Sequence, residues 1–293
     1  MTKITAAGQY DIPIETYLGD CCAGPSVSGS GLVKIEQTSL AHYWWDSYHN
    51  PQREPYDSTA LAFGRACHAW VLGEPEFNKY FVVSPYEEFR SNEARVWREQ
   101  QTRTIVKPDQ LDAIKAMNET ILKTPLIQNA FKDGKPEQSL IWQDRETGIW
   151  LKTRPDWLPS ALKYVPNFKT ARSSRPADFT RSAYDLGYHQ GAALCIDGLR
   201  EVLGWKAPSY YFVAQEKTPP YVATLVVMRD TDIEWGRLLN RAAIRKLARA
   251  LDADEWPGYA TGAVEISMPM WAEKQLLDRH EVGEFSDEQE KAA

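Results

Sequence analysis

The strongest constraint on the fold is a change of hydrophobic period just after Gly134-Lys135-Pro136. Before it, residues 60–72 and 111–122 space their apolar side chains as helices do. After it, residues 138–143 and 148–158 are rich in β-branched and aromatic residues, with turn residues at 144–148 between them. Residues 159–162 make a second turn. Residues 163–170 read as a third strand, in which Pro166 points to a sheet edge or a bulge. Helical spacing returns over 177–203 through Phe179, Ala183, Leu186, Ala193, Ile196, Leu199 and Val202, until Gly204 stops it. A hairpin over 209–215 and 221–228 follows, turned by Thr218-Pro219-Pro220. Helix, three strands, helix, strand predicts an α/β fold with a mixed central sheet flanked by helices.

Elaborations sit at both ends. Residues 1–30 are rich in Gly, Ser and Pro and read as an extended arm before a short helix. A helix is expected over 39–48 with Thr38 as its cap, and Ser58-Thr59 is expected to cap the helix at 60–72, which Gly73 and Pro75 end. The charged stretch 86–104 reads as a solvated helix or a mobile loop, and 233–251 as a basic amphipathic helix. No linker divides the chain. One domain is expected over 1–272, with an N-terminal arm and helix to residue 57, a core over 58–228 and a helical C-terminal elaboration from 229. A charged, disordered tail is expected over 273–293.

Composition narrows the class. No run of 18 apolar residues occurs, so no membrane span is expected, and the first ten residues lack a basic-then-apolar secretion pattern. Four cysteines at irregular spacing suit neither a disulfide framework nor a zinc site, which points to a reducing cytoplasm. With 34 basic against 40 acidic residues the net charge is -6. That argues against coating nucleic acid with the whole surface but leaves room for one basic groove.

Chemistry-bearing residues gather around the strands. Side chains alternate faces along a strand, so Asn167 and Lys169 share one face while Phe168 points into the core. The turn before them brings Asp156 alongside. An Asp and a Lys on neighbouring strands usually form a surface pair, so this spacing alone is weak evidence for a site. His68, on the helix at 60–72, lies among apolar residues where a buried imidazole needs a partner, and Gly64 one turn earlier leaves room on the same face. Glu137 could add a carboxylate. His, Asp, a further oxygen donor and Lys form a set suited to a Mg²⁺ or Mn²⁺ site for phosphodiester hydrolysis.

These residues resemble a known superfamily. Arg154-Pro155-Asp156 followed by Asn167-Phe168-Lys169 is similar to the signature of the PD-(D/E)XK nucleases, and the order of elements matches their core. The longer likeness is to the RecE-type (exonuclease VIII-like) nucleases of phages and prophages. It runs through Phe63-Gly64-Arg65-Ala66-Cys67-His68-Ala69, Glu137-Gln138-Ser139, Glu146-Thr147-Gly148, Tyr188-His189-Gln190, Gln215-Glu216-Lys217 and Trp256-Pro257-Gly258-Tyr259 to Pro269-Met270-Trp271. The resemblance implies His68, Asp156 and the Phe168 carbonyl as metal ligands, with position 167 as another. Lys169 would orient or deprotonate the attacking water, and Glu137 would support the site. It also implies a Mg²⁺-dependent exonuclease acting 5′→3′ on linear duplex DNA in a bacterial host cytoplasm, as a ring-like oligomer supplying single strand to an annealing recombinase.

Two departures stand out. Asn167 occupies the place of an acidic ligand, so activity is expected to fall severely, whether the residue is engineered or natural. Gly191 stands where relatives carry Gln, and Gln190 is one position early, a turn of about 100° around a helix. Arg172, Arg175 and Arg181 flank the start of the next helix and are expected, with Gln190, to hold the DNA strand. Arginines at 90–103 and 237–249, and Trp44, Trp45 and Tyr48, have solvated-face or core-packing explanations beside a DNA role. A DNA-end-binding protein without turnover, and an endonuclease or flap nuclease of the same superfamily, are the alternatives.

Overall fold

The computed structural model describes residues 2–53, 59–160 and 164–285. The N-terminal segment holds β1 (Gly8–Tyr10), α1 (Ile14–Leu18), β2 (Ser26–Ser28), α2 (Gly29–Gln37) and α3 (Leu40–Asp46). Then come α4 (Thr59–Leu72), α5 (Glu74–Tyr80), β3 (Phe81–Val83), α6 (Asn92–Glu99) and β4 (Thr104–Val106). α7 (Pro108–Leu122) and α8 (Pro125–Ala130) lead into β5 (Gly134–Pro136), β6 (Ser139–Gln143) and β7 (Trp150–Thr153). β8 (Trp157–Pro159), β9 (Tyr164–Ala171), α9 (Pro176–Asp185), α10 (Tyr188–Leu203), β10 (Ser209–Glu216), β11 (Ala223–Val227) and α11 (Asp230–Ala253) complete a first unit, Met1–Trp256. A second unit, Pro257–Ala293, contains α12 (Met270–Glu281).

Local chemistry sets several boundaries. Ser28 and Ser39 cap α2 and α3 by accepting from the Gly31 and His42 amides. Thr38, expected as the cap of α3, instead closes α2 by donating to the Lys34 carbonyl at 2.6 Å. Ser58 lies outside the described residues. Pro108 and Pro176 open α7 and α9, where a missing N–H is harmless. Residues 273–281, expected within a disordered tail, are helical: Ala272 to Leu277 are strong helix formers following Pro269. None of the described helices is long and apolar enough to cross a membrane.

The two larger sheets are mixed and flanked by helices, as expected for the α/β class, beside a parallel β3–β4 pair and an antiparallel β5–β8 pair. One sheet runs β1-β6-β7-β2, with β7 antiparallel to β6 and parallel to β2. The arm therefore belongs to the sheet rather than running ahead of it: Gly8 pairs with Ile141 and Val27 with Leu151. A second sheet runs β11-β10-β9, with β9 parallel to β10, so that Asn167, Phe168 and Lys169 face Phe212, Val213 and Ala214. β9 is its edge, where Pro166 loses no ladder bond that a central strand would need. Residues 148–158, expected as one strand, break at Arg154-Pro155-Asp156 into β7 and β8, which pair with β6 and β5 respectively.

Helix 177–203 is likewise divided. Gly187 turns the chain between α9 and α10 at φ 66°, in space where a Cβ would lie 2.6 Å from Val33 Cγ1. α10 buries nine of its 16 residues, which makes it the central helix between α11, α2 and the β6–β7 strands. On the other side α4 and α7 pack Ala66, Cys67, Ile114 and Met117 against Phe168 and Val213. Phe168 therefore locks β9 to α4, and this contact aligns the candidate site.

Candidate active site

α4 delivers His68 to the end of β7. Its Nε2 lies 3.1 Å from Asp156 Oδ2, and its Nδ1 lies 3.6 Å from Glu137 Oε1. Gly64 does not leave a vacancy: a Cβ there would sit 3.3 Å from Thr170 Oγ1, so the glycine lets α4 approach β9 closely. Burial pulls the His68 ring toward neutrality, but the charge and hydrogen bond of Asp156, with Glu137 behind them, outweigh it and raise its pKa.

Asp156 is 8% exposed. It lies in the break between β7 and β8, where its carboxylate is free of ladder geometry and accepts the Phe168 N–H at 2.5 Å. Burial alone would raise its pKa. The charges of His68 and Lys169, with the His68 and Phe168 hydrogen bonds, hold it below the ordinary carboxylate range. Lys169 follows on the same face of β9 as Asn167, its ammonium 5.5 Å from the ring centre of Tyr188. Tyr188 is itself wedged against Phe179 and Phe212.

Two of these contacts were not assigned from sequence. Tyr188 was visible within a motif but had no stated role. Arg154 reaches back to Glu137 Oε2 through Nε at 3.2 Å and Nη2 at 2.8 Å, and donates to the Ile12 carbonyl at 2.7 Å. Glu137 holds a left-handed backbone at φ 46°, secured by its N–H on the Asp156 carbonyl at 3.0 Å. Its carboxylate thus joins Arg154 to the far nitrogen of His68. Metal-binding imidazoles are commonly oriented by such a carboxylate.

The donors fit a hard divalent ion. Neighbouring ligands of an octahedral ion with bonds near 2.1 Å are about 3 Å apart, close to the observed His68–Asp156 separation. Asn167 is 6% exposed and its Oδ1 is buried without a hydrogen-bond partner, so this oxygen has a lone pair to offer a cation. Among the described residues no three His, Cys, Asp or Glu side chains are arranged to hold a metal ion by themselves.

A family model described as a PDDEXK-like domain of unknown function (DUF3799) matches residues 28–267. The chain belongs to this family. A candidate exonuclease from Eubacterium rectale is similar in structure, with a TM-score of 0.59 at 13% identity over 84% of this chain and 90% of that one. A phage-related exonuclease from Haemophilus somnus shares 12% identity over 78% of this chain and 96% of that one, with a TM-score of 0.31. No curated protein matches the sequence. The family model gives the PDDEXK-like domain, and the likeness to the Eubacterium rectale structure is one of fold alone.

Around the site of this PDDEXK-like domain, Arg172, Arg175 and Arg181 are all exposed, with Arg175 at the N-terminus of α9. Gln190 is not with them. It is fully buried between α10 and α11, its amide on Asn240 Oδ1 at 3.3 Å and its carbonyl accepting from Asn240 Nδ2 at 2.8 Å. The one-residue offset has turned it away, and a DNA role for it is withdrawn. Gly191, one position on, would place a Cβ in open space. Three of the four arginines of α11 are committed within the chain: Arg237 pairs with Asp197, Arg241 with Asp144, and Arg245 with Glu146. Tyr48 accepts the Ser26 N–H at 2.7 Å and serves packing, whereas Trp45 is exposed.

Proposed function

We propose that the chain is a metal-dependent deoxyribonuclease that hydrolyses phosphodiester bonds from the ends of linear duplex DNA. The observation that carries this reading is the 3.1 Å contact between His68 and Asp156, which come from separate elements. His68, Asp156, the Asn167 amide oxygen and the Phe168 carbonyl would hold Mg²⁺ or Mn²⁺. When bound, such an ion lowers the pKa of its water and polarises the scissile phosphate. Lys169 orients the attacking water and offsets charge on the phosphorane, steadied by the Tyr188 ring. Glu137 and Arg154 fix the imidazole. Arg172, Arg175 and Arg181 grip phosphates beside the cut. Cleavage 5′→3′, a ring-like assembly, a cytoplasmic setting and delivery of single strand to an annealing recombinase complete the proposal, on the resemblance to RecE-type nucleases.

Asn167 favours a second reading, a protein that binds DNA ends without turnover, because an amide adds no charge to hold a hard cation. Linear and covalently closed duplex incubated with Mg²⁺ separate the two. Asn167→Asp is expected to degrade the linear form and spare the circle, with wild type far slower. Cutting of the circle would indicate an endonuclease. Binding of ends without cleavage by either folded form would leave the end-binding reading.

A further inference from the structure

On the N-terminal side of the sheet, Cys21 and Cys22 are adjacent in sequence and their Sγ atoms lie 3.7 Å apart. The backbone there is fixed by a bridge to Ile4, whose N–H donates to the Cys21 carbonyl and whose carbonyl accepts from Ala23, each at 2.8 Å. Beneath them lies Lys152 of β7, 2% exposed. Its Nζ donates to the carbonyls of Tyr17 at 2.7 Å and Gly19 at 3.2 Å, and lies 3.9 Å from Cys21 Sγ. The rings of Tyr17 and Tyr48 flank the ammonium at 5.4 and 5.6 Å.

A buried ammonium needs a counter-charge. Burial pulls the Lys152 pKa down; the two carbonyls supply dipoles against this, and the Cys21 sulfur, 3.9 Å away, is placed to supply a counter-charge as thiolate. The Cys22 hydrogen bond and, against the opposing effect of burial, the Lys152 charge hold the Cys21 thiol below the ordinary cysteine range. Asp20 opposes this, but it is itself paired with Lys3. Cys21, 7% exposed, also lines a cleft of about 620 Å³ shared with Thr5, Tyr10, Asp11 and Thr16. The other two cysteines lack this setting: Cys67 packs on Met117 and Cys195 on Leu199, and burial pushes each thiol up to about 12.

We propose that Cys21 and Cys22 form an oxidation site, at which a small hydroperoxide converts the pair into a vicinal disulfide that thiol reductants reopen. The Cys21 thiolate attacks the peroxide, an S–O bond forms, the O–O bond breaks, and the leaving oxygen takes a proton to become water or an alcohol. The Cys22 sulfur then attacks the sulfenic sulfur, the S–S bond forms, and water leaves with the Cys22 proton. Two thiols are oxidised and one peroxide is reduced. The site does not depend on the nuclease reading.

The full chain is exposed to hydrogen peroxide, quenched with catalase, unfolded, alkylated with iodoacetamide and mapped by mass spectrometry. Expected are the loss of two hydrogens from the peptide carrying Cys21 and Cys22, no alkylation at either, and recovery of both with dithiothreitol. Because an ordinary thiol is thiolate to only a few per cent at neutral pH, the pair should react at least about tenfold faster than Cys67 or Cys195. In Cys22→Ser, dimedone should trap the sulfenic acid at Cys21. If the wild-type chain keeps both residues alkylatable after peroxide that oxidises free glutathione, or carries sulfinic acid at Cys21 without a disulfide, the proposal fails. That wild-type measurement holds even if the variant does not fold.

Discussion

Replacing Asn167 by Asp keeps the volume and adds a charge, so its effects isolate the electrostatics of the site. Position 167 is 6% exposed and its Oδ1 has no partner. Without metal, a carboxylate introduced there loses hydration and has no hydrogen-bond donor, which outweighs the pull of the Lys169 ammonium on the same face, and its pKa rises. A rise of one to two units corresponds to a loss of roughly 1.4–2.7 kcal/mol of stability at pH values above the raised pKa. A carboxyl with a raised folded-state pKa is neutral and harmless in acid. The penalty is therefore absent below the unfolded value of about 4 and grows as pH rises to the folded value. A divalent ion reverses the effect, because binding to the folded state stabilises it by about 2.7 kcal/mol at a hundred times Kd. Urea denaturation of wild type and Asn167→Asp at about pH 5 and about pH 8, in EDTA or in Mn²⁺, measures both terms. In EDTA the variant should be weaker than wild type at both pH values, by roughly 1–1.5 kcal/mol near pH 5 and by the full ~1.4–2.7 kcal/mol near pH 8. In Mn²⁺ it should gain more than wild type does. Equal stability in EDTA at both pH values, together with equal stabilisation by Mn²⁺, would refute the placement of position 167 at a cation site.

Other consequences follow from neighbouring residues. Arg154→Met frees Glu137 from its clamp and should weaken Mn²⁺ binding by about 10–100-fold, measured by calorimetry; unchanged affinity would remove Glu137 from the support of His68. Gly236→Ala should destabilise by about 1–3 kcal/mol in chemical denaturation, since a Cβ there would lie 2.2 Å from the His189 carbonyl oxygen. Gly191→Ala should stabilise by about 0.5–1 kcal/mol, because its Cβ meets nothing and the helix gains rigidity; the opposite signs would contradict the α10–α11 packing. Asp144 is buried, which opposes its charge, but Thr147 and Arg241 hydrogen bonds hold its carboxyl below the ordinary range. Its contribution is present above the unfolded value of about 3.9 and is lost as pH falls through the lower folded value, so Asp144→Asn should flatten the acid limb of the stability profile below about pH 4.

What sequence could reveal here was set by the range of each interaction. Alternation along β9 placed Asn167 and Lys169 on one face with Phe168 opposite, because side-chain direction in a strand is a local property. His68 was recognisable as a polar group on an apolar helix. β1 and β2 were not, since three-residue strands owe their existence to partners as distant as Ile141 and Leu151. The break at Gly187 was hidden because Phe179, Ala183 and Ala193 keep helical spacing on both sides of it. Gln190 failed as a DNA contact for the opposite reason. Its rotation on α10 was computable, but its burial against Asn240 depends on α11, fifty residues later. Arg237, Arg241 and Arg245 of α11 looked available for the same reason, but Asp197, Asp144 and Glu146 occupy them.

The shared cation itself is tested most directly by Mn²⁺ calorimetry on wild type, Asn167→Asp and Asp156→Asn. One ion per chain is expected in wild type, tighter binding in Asn167→Asp, and no measurable heat in a folded Asp156→Asn chain. Undiminished binding after loss of the Asp156 charge would put the cation elsewhere and contradict the assignment of His68 and Asp156 as its ligands.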